Sequence, residues 1–69
     1  MKISARNQIP GTIKAVHKGA TTAHVELEVS GGTLITASIT NEAVDQLKLA
    51  AGQKACAVIK ASDVMVGVD

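Results

Sequence analysis

The chain has 69 residues, 46% hydrophobic and 19% charged, with no Phe, Tyr or Trp, so it is too apolar to be disordered, too short for a second core, and limited to burying about 60% of its unfolded surface. One Cys excludes an internal disulfide, and one Cys with two scattered His makes a poor structural zinc set, which leaves oligomerisation as the staple for a thin core. A net charge of +1 spread along the chain and the lack of stacking rings argue against nucleic acid, no run approaches the roughly 18 apolar residues of a membrane span, and the N-terminus lacks a signal-peptide layout. The expectation is a cytoplasmic domain over residues 1–69 with no nucleic-acid and no membrane partner.

In chain order, Pro10 marks a strand start or an edge, because it has no amide hydrogen to give a ladder. Gly11 to His17 is rich in β-branched residues and reads as the first strand, closed by a turn at Lys18-Gly19. From Ala23 to Val29 the apolar set Ala23, Val25, Leu27 and Val29 alternates with His24, Glu26 and Glu28, the pattern of a strand with one wet face. Ser30, Gly31 and Gly32 break it, and Thr33 to Thr40 resumes with Ile35, Ala37 and Ile39 inward, which predicts a hairpin. Thr40 or Asn41 then caps a short helix, with Glu42 at its positive end and Val44 and Leu47 stacked at i, i+3. Leu47 to Gly52 is a loop, Ala55, Ala57 and Ile59 alternate with Cys56, Val58 and Lys60, and Ala61, Ser62 and Asp63 interrupt before a last strand built on Val64, Val66 and Val68. Five short strands with one helix between the third and fourth predict an all-β, closed or partly open barrel of the OB type.

Polar residues that the strand pattern leaves unexplained gather in two places, Ser4, Ala5, Arg6, Asn7 and Gln8 near the start and Lys60, Ala61, Ser62 and Asp63 near the end. Together they offer a guanidinium fork, an ammonium, hydroxyls, carboxamides and amides in irregular backbone, which is the equipment for holding a small oxyanion. A tetrahedral dianion needs several converging donors and enough positive charge to offset its desolvation, and an Arg with a Lys supplies two charges.

The opening Lys2-Ile3-Ser4-Ala5-Arg6-Asn7-Gln8 and the closing Ala57-Val58-Ile59-Lys60-Ala61-Ser62-Asp63-Val64-Met65 closely resemble the molbindins, the molybdate-binding Mop family, with Lys18-Gly19, Gly31-Gly32 and Ile39-Thr40 matching in order between them. The resemblance implies an OB-like barrel assembled as a hexamer, a trimer of dimers, that binds and stores molybdate or tungstate at subunit interfaces without an organic cofactor. It carries a main site over to Ser4, Ala5, Arg6, Thr40, Lys60, Ala61 and Ser62, with the two motifs supplied by different chains across the dimer. A second class of site near the threefold axes maps to Lys18, Gly19 and Ala20. One departure is Ala43, where several members carry a Ser whose hydroxyl joins the site; a lost neutral hydrogen bond is worth about 0.5–1.5 kcal/mol.

Donors alone suit an anion fully deprotonated at neutral pH, such as molybdate, tungstate or sulfate, whereas phosphate keeps a proton that needs an acceptor. His17 and His24 have no Cys, Asp or second His at ligand spacing and are expected at a surface or interface rather than on a metal. Cys56 reads as a packed or interface thiol. With no carboxylate pair, Ser-His-Asp set or phosphate-cradling Gly loop, the expected function is binding rather than catalysis. The alternatives are a nucleic-acid-binding OB module, decided by a gel shift at low salt, and an oxyanion-sensing regulatory or structural partner protein, decided by pull-down with and without molybdate.

Overall fold

The alternation seen in the sequence becomes the inner face of a curled antiparallel sheet in the computed structural model, which describes residues 1–69. The elements are β1 (Asn7–Lys18), β2 (Thr22–Val29), β3 (Leu34–Thr40), α1 (Asn41–Leu47) and β4 (Lys54–Ile59), and the sheet order is β3-β2-β1-β4. On β2, Ala23, Val25 and Leu27 are buried, and they stand opposite Ile39, Ala37 and Ile35 of β3, so the hairpin presents one continuous apolar face. Its connection is a tight turn over Ser30–Gly32, where Gly31 and Gly32 have φ of 86° and 84°, a backbone that a residue with a Cβ adopts only with strain.

β1 is the long central strand, and it begins at Asn7 rather than Gly11 because β4 pairs with its first half, Asn7↔Ile59 to Thr12↔Lys54. Pro10 lies one residue before the β2 ladder opens at Gly11↔Val29, so on that side its missing N–H leaves no bond unmade. A bulge at Lys14 shifts the β1–β2 register between Ile13 and Ala15. It brings Ile13, opposite Leu27, and Val16, opposite Val25, onto the same inner face three residues apart, and it adds the twist that curls the sheet. At the mouth of that ladder the strands approach closely, and a Cβ on Gly11 would lie 2.7 Å from the Glu28 carbonyl oxygen. Gly11→Ala is therefore expected to destabilise the fold by about 1–3 kcal/mol, read as a fall in the denaturation midpoint.

Thr40 caps α1, its Oγ1 accepting from the Ala43 amide at 3.0 Å. Val44 is buried against the sheet, but Leu47 is 62% exposed, contrary to the expected stacking of the pair. The helix ends at once in a left-handed Lys48, which turns Leu49 inward in place of Leu47 and lets the Leu49 amide reach the Val44 carbonyl at 3.1 Å.

The expected fifth strand is absent from the single chain. After a 3-10 turn at Ala61–Asp63 the backbone leaves β4, and Val64 to Val68 has no sheet partner, with Met65, Val66 and Val68 each at least 90% exposed. The result is four strands and a half-barrel in which β3 and β4 are both edges. Only six residues are buried, Ile13, Ala23, Val25, Leu27, Val44 and Ala57. Between the two edges the inner face opens as a groove of about 650 Å³ lined mostly by aliphatic side chains, among them Ile35, Ala37, Ile39, Ala55, Ala57 and Ile59. No helix is long and apolar enough to cross a membrane.

Candidate functional site

The β1–β4 ladder decides where the two polar segments go. Its last pair is Asn7↔Ile59, so Arg6 and Lys60 follow one step beyond on neighbouring strands, and the Asn7 carboxamide fastens that end by donating to the Ile59 carbonyl at 3.2 Å. The approach to β1 is folded by two further bonds, Gln8 Nε2 to the Ala5 carbonyl at 3.2 Å and Arg6 Nε to the Ser4 carbonyl at 3.1 Å. The second of these uses only one guanidinium donor, so the terminal N–H groups of Arg6 stay free to make a fork.

On the other side, the turn Ala61–Asp63 spends the amides of Asp63 and Val64 on the carbonyls of Lys60 and Ala61, at 2.9 and 3.3 Å. The amides of Ala61 and Ser62, at the start of the turn, have no acceptor within the chain. Neither Arg6 nor Lys60 has a carboxylate partner; the two ion pairs of the chain are Lys14–Glu28 and Lys18–Asp45. With Asp63 the one carboxylate in either segment, this end carries a net positive charge and a surplus of donors. Ser4, Ala5, Arg6, Lys60, Ala61 and Ser62 are thus brought to one end of the sheet. Their two motifs, which the resemblance assigns to different chains, already have adjacent backbones within one.

Thr40 is not among them. It ends β3 opposite Thr22, next to the turn that follows Lys18, at the far end of β1 and about 35 Å of strand away. There Asn41 ties the helix start to that turn, its amide donating to the Thr21 carbonyl at 2.8 Å and its carboxamide to the Gly19 carbonyl at 2.9 Å. Because Thr40 Oγ1 already accepts from Ala43, what it has left to offer is its O–H, again a donor. Of the second-site residues, Lys18 is engaged by Asp45, the amide of Gly19 by the Thr22 carbonyl and the carbonyl of Gly19 by Asn41. Ala20 is exposed in the same turn.

Sequence reasoning placed Asn7 among the polar donors and Asn41 at the helix start, but gave neither a tie between elements, and each fastens one of these two ends. Asn7 reaches a carbonyl 52 residues away, a relation that local spacing does not carry. Asn41 was legible only as a helix cap, and Thr40 takes that place.

The chain matches the TOBE domain family over residues 3–66. The molybdenum transport protein ModE of Herbaspirillum seropedicae is 53% identical over 66 residues, which are 96% of this chain and 24% of that protein. The chain therefore spans about a quarter of that relative. A probable molybdenum-pterin-binding protein of Haemophilus influenzae is 42% identical over 69 residues and covered end to end, as is this chain. Among solved structures, the cytoplasmic molybdate-binding protein ModG, in a form with molybdate bound, superposes with a TM-score of 0.94 at 49% identity, covering 100% of this chain and 49% of that one. With matches in sequence and in backbone that extend over nearly the whole chain, the chain belongs to the TOBE domain family and stands among its Mop proteins.

Proposed function

We propose that the chain is a cytoplasmic binding and storage protein for molybdate or tungstate, a single Mop domain over residues 1–69 with no catalytic role, whose oxyanion site is completed by a second copy of itself. The observation that carries this reading is the division of the donors. Arg6, Lys60 and the free amides of the Ala61–Asp63 turn crowd one end of the sheet with two unpaired cations, while the Thr40 hydroxyl lies at the other. A twofold partner is the economical source of the missing hydroxyl, since one isologous contact gives each site what the other chain holds. The cytoplasmic setting rests on the description of ModG.

Three features of the single chain support an assembly. The β3 and β4 edges are unpaired, the groove between them is apolar, and Val64, Val66 and Val68 form an alternating strand pattern with no partner. Long exposed edges and apolar strands are normally covered, and the OB-like barrel would close when they are. The hexamer, a trimer of dimers, is the proposed form.

Native mass spectrometry with and without molybdate tests both halves of the reading. The expected result is a hexamer that gains molybdate; a monomer, or an assembly that retains no anion at micromolar molybdate, overturns it. Restoring the hydroxyl that several molbindins carry at position 43 is a finer test. Ala43→Ser is expected to tighten molybdate binding by up to about tenfold, the worth of one neutral hydrogen bond, in calorimetric titration.

A further inference from the structure

The ladder register creates a pair of imidazoles that linear spacing conceals. His17 on β1 stands directly opposite His24 on β2, and both face outward, because the adjacent pair Val16↔Val25 turns to the core. Directly opposed residues of an antiparallel ladder share a face with Cβ atoms about 4.5–5.5 Å apart. From there each ring can aim one nitrogen at a common ion about 2.0–2.1 Å away. Both histidines are exposed, and neither ring enters a hydrogen bond or an ion pair within the chain.

The surroundings favour a cation there. From Ala15↔Glu26 to Lys18↔Ala23 the pairing is regular, so the backbone fixes the spacing of the two histidine Cα positions before any ion arrives. Glu26, next to His24 on the same face of β2, contributes negative potential, and the neighbouring Lys18 is neutralised by Asp45.

We propose that His17 and His24 chelate a divalent first-row transition cation, each giving one ring nitrogen while water fills the remaining positions. No cluster of three or more His, Cys, Asp or Glu exists in the chain, so the site is a two-nitrogen clamp, weaker and more exchangeable than a structural zinc site. Imidazole ligands place Cu²⁺ and Ni²⁺ ahead of Mn²⁺ and leave Mg²⁺ unbound. This site is independent of the oxyanion site and stands or falls without it.

The test is calorimetric titration of the full assembled protein with NiCl₂, for the parent, His17→Gln, His24→Gln and the double variant. One Ni²⁺ per chain is expected for the parent, with at least a tenfold loss of affinity in either single variant. The double variant should fall little further than either single one, because the chelate is broken by the first substitution. A single variant within threefold of the parent, or equal competition by MgCl₂, overturns the proposal. Circular dichroism and molybdate uptake, both expected unchanged, monitor the fold. On the unmodified protein, Ni²⁺ should protect both rings from diethylpyrocarbonate, and modification of both at the ion-free rate also overturns it.

Discussion

Arg6→Ala is expected to lower the affinity for molybdate by at least about a hundredfold, with Lys60→Ala close behind. Hydrogen bonds to charged groups contribute about 1.5–3 kcal/mol each, and a guanidinium fork makes two of them to one oxyanion, so about 3 kcal/mol is the lower bound and corresponds to a factor of over a hundred. Lys60 supplies a single ammonium and its loss should cost less. The fold has little to lose from either change. Both side chains are exposed, and the one side-chain hydrogen bond that Arg6 makes within the chain is its local bond to the Ser4 carbonyl. Arg6→Lys, which keeps the charge but not the fork, should fall between parent and alanine variant. Equilibrium dialysis against molybdate reads all three, and an alanine variant within threefold of the parent would remove Arg6 from the site. Since two positive charges offset the desolvation of one dianion, the double alanine variant should retain no molybdate at micromolar concentration.

How far the sequence spoke depended on whether a feature was local. The β2–β3 hairpin was legible because Ala23, Val25 and Leu27 face Ile39, Ala37 and Ile35 across one short turn, so alternation and pairing carry the same message. The start of β1 lies four residues before the Gly11 that the sequence suggests. Pro10 looked like a start, and the partner that extends the strand to Asn7 is β4, distant in sequence. The interval of three between Ile13 and Val16 broke the period of two and was the local trace of the bulge at Lys14. Leu47 had the right spacing from Val44, but a left-handed Lys48 ended the helix and gave the inward place to Leu49.

The site was legible as chemistry and not as geometry. Residue types picked out Arg6 and Lys60, but only the Asn7↔Ile59 register puts them side by side, and nothing local reveals that Thr40 lies at the opposite end. The same register, acting between β1 and β2, makes neighbours of His17 and His24, which spacing had kept apart. Val64 to Val68 is the inverse case. Its alternation is a sound strand pattern, and a strand needs an edge to pair with, which the path of the chain after Asp63 does not provide.

Removing that segment is expected to have the largest effect on assembly. Deletion of residues 64–69 should convert the proposed hexamer to monomers and abolish molybdate uptake, although Arg6, Lys60 and Thr40 all remain. Val66 and Val68 are 90% and 93% exposed in the single chain, and full burial of a valine against a partner's apolar groove is worth about 1.5–3 kcal/mol. Twofold symmetry counts each contribution twice per dimer, which makes the pair of tails a large part of the free energy that holds two small cores together. Val66→Asp probes the same contact without shortening the chain, because an unpaired carboxylate in an apolar interface carries a heavy desolvation cost and costs nothing on an exposed monomer. Light scattering after size exclusion reads the assembly and equilibrium dialysis the anion. If Val66→Asp stays hexameric and binds molybdate like the parent, the tail is not the contact that joins the chains. If it becomes monomeric yet still takes up molybdate, one chain holds the whole site and the division between Thr40 and the Arg6–Lys60 end has no bearing on binding. Loss of both together is the outcome that ties the exposed valines to the oxyanion: the residues that finish the fold of one chain would then also assemble the site.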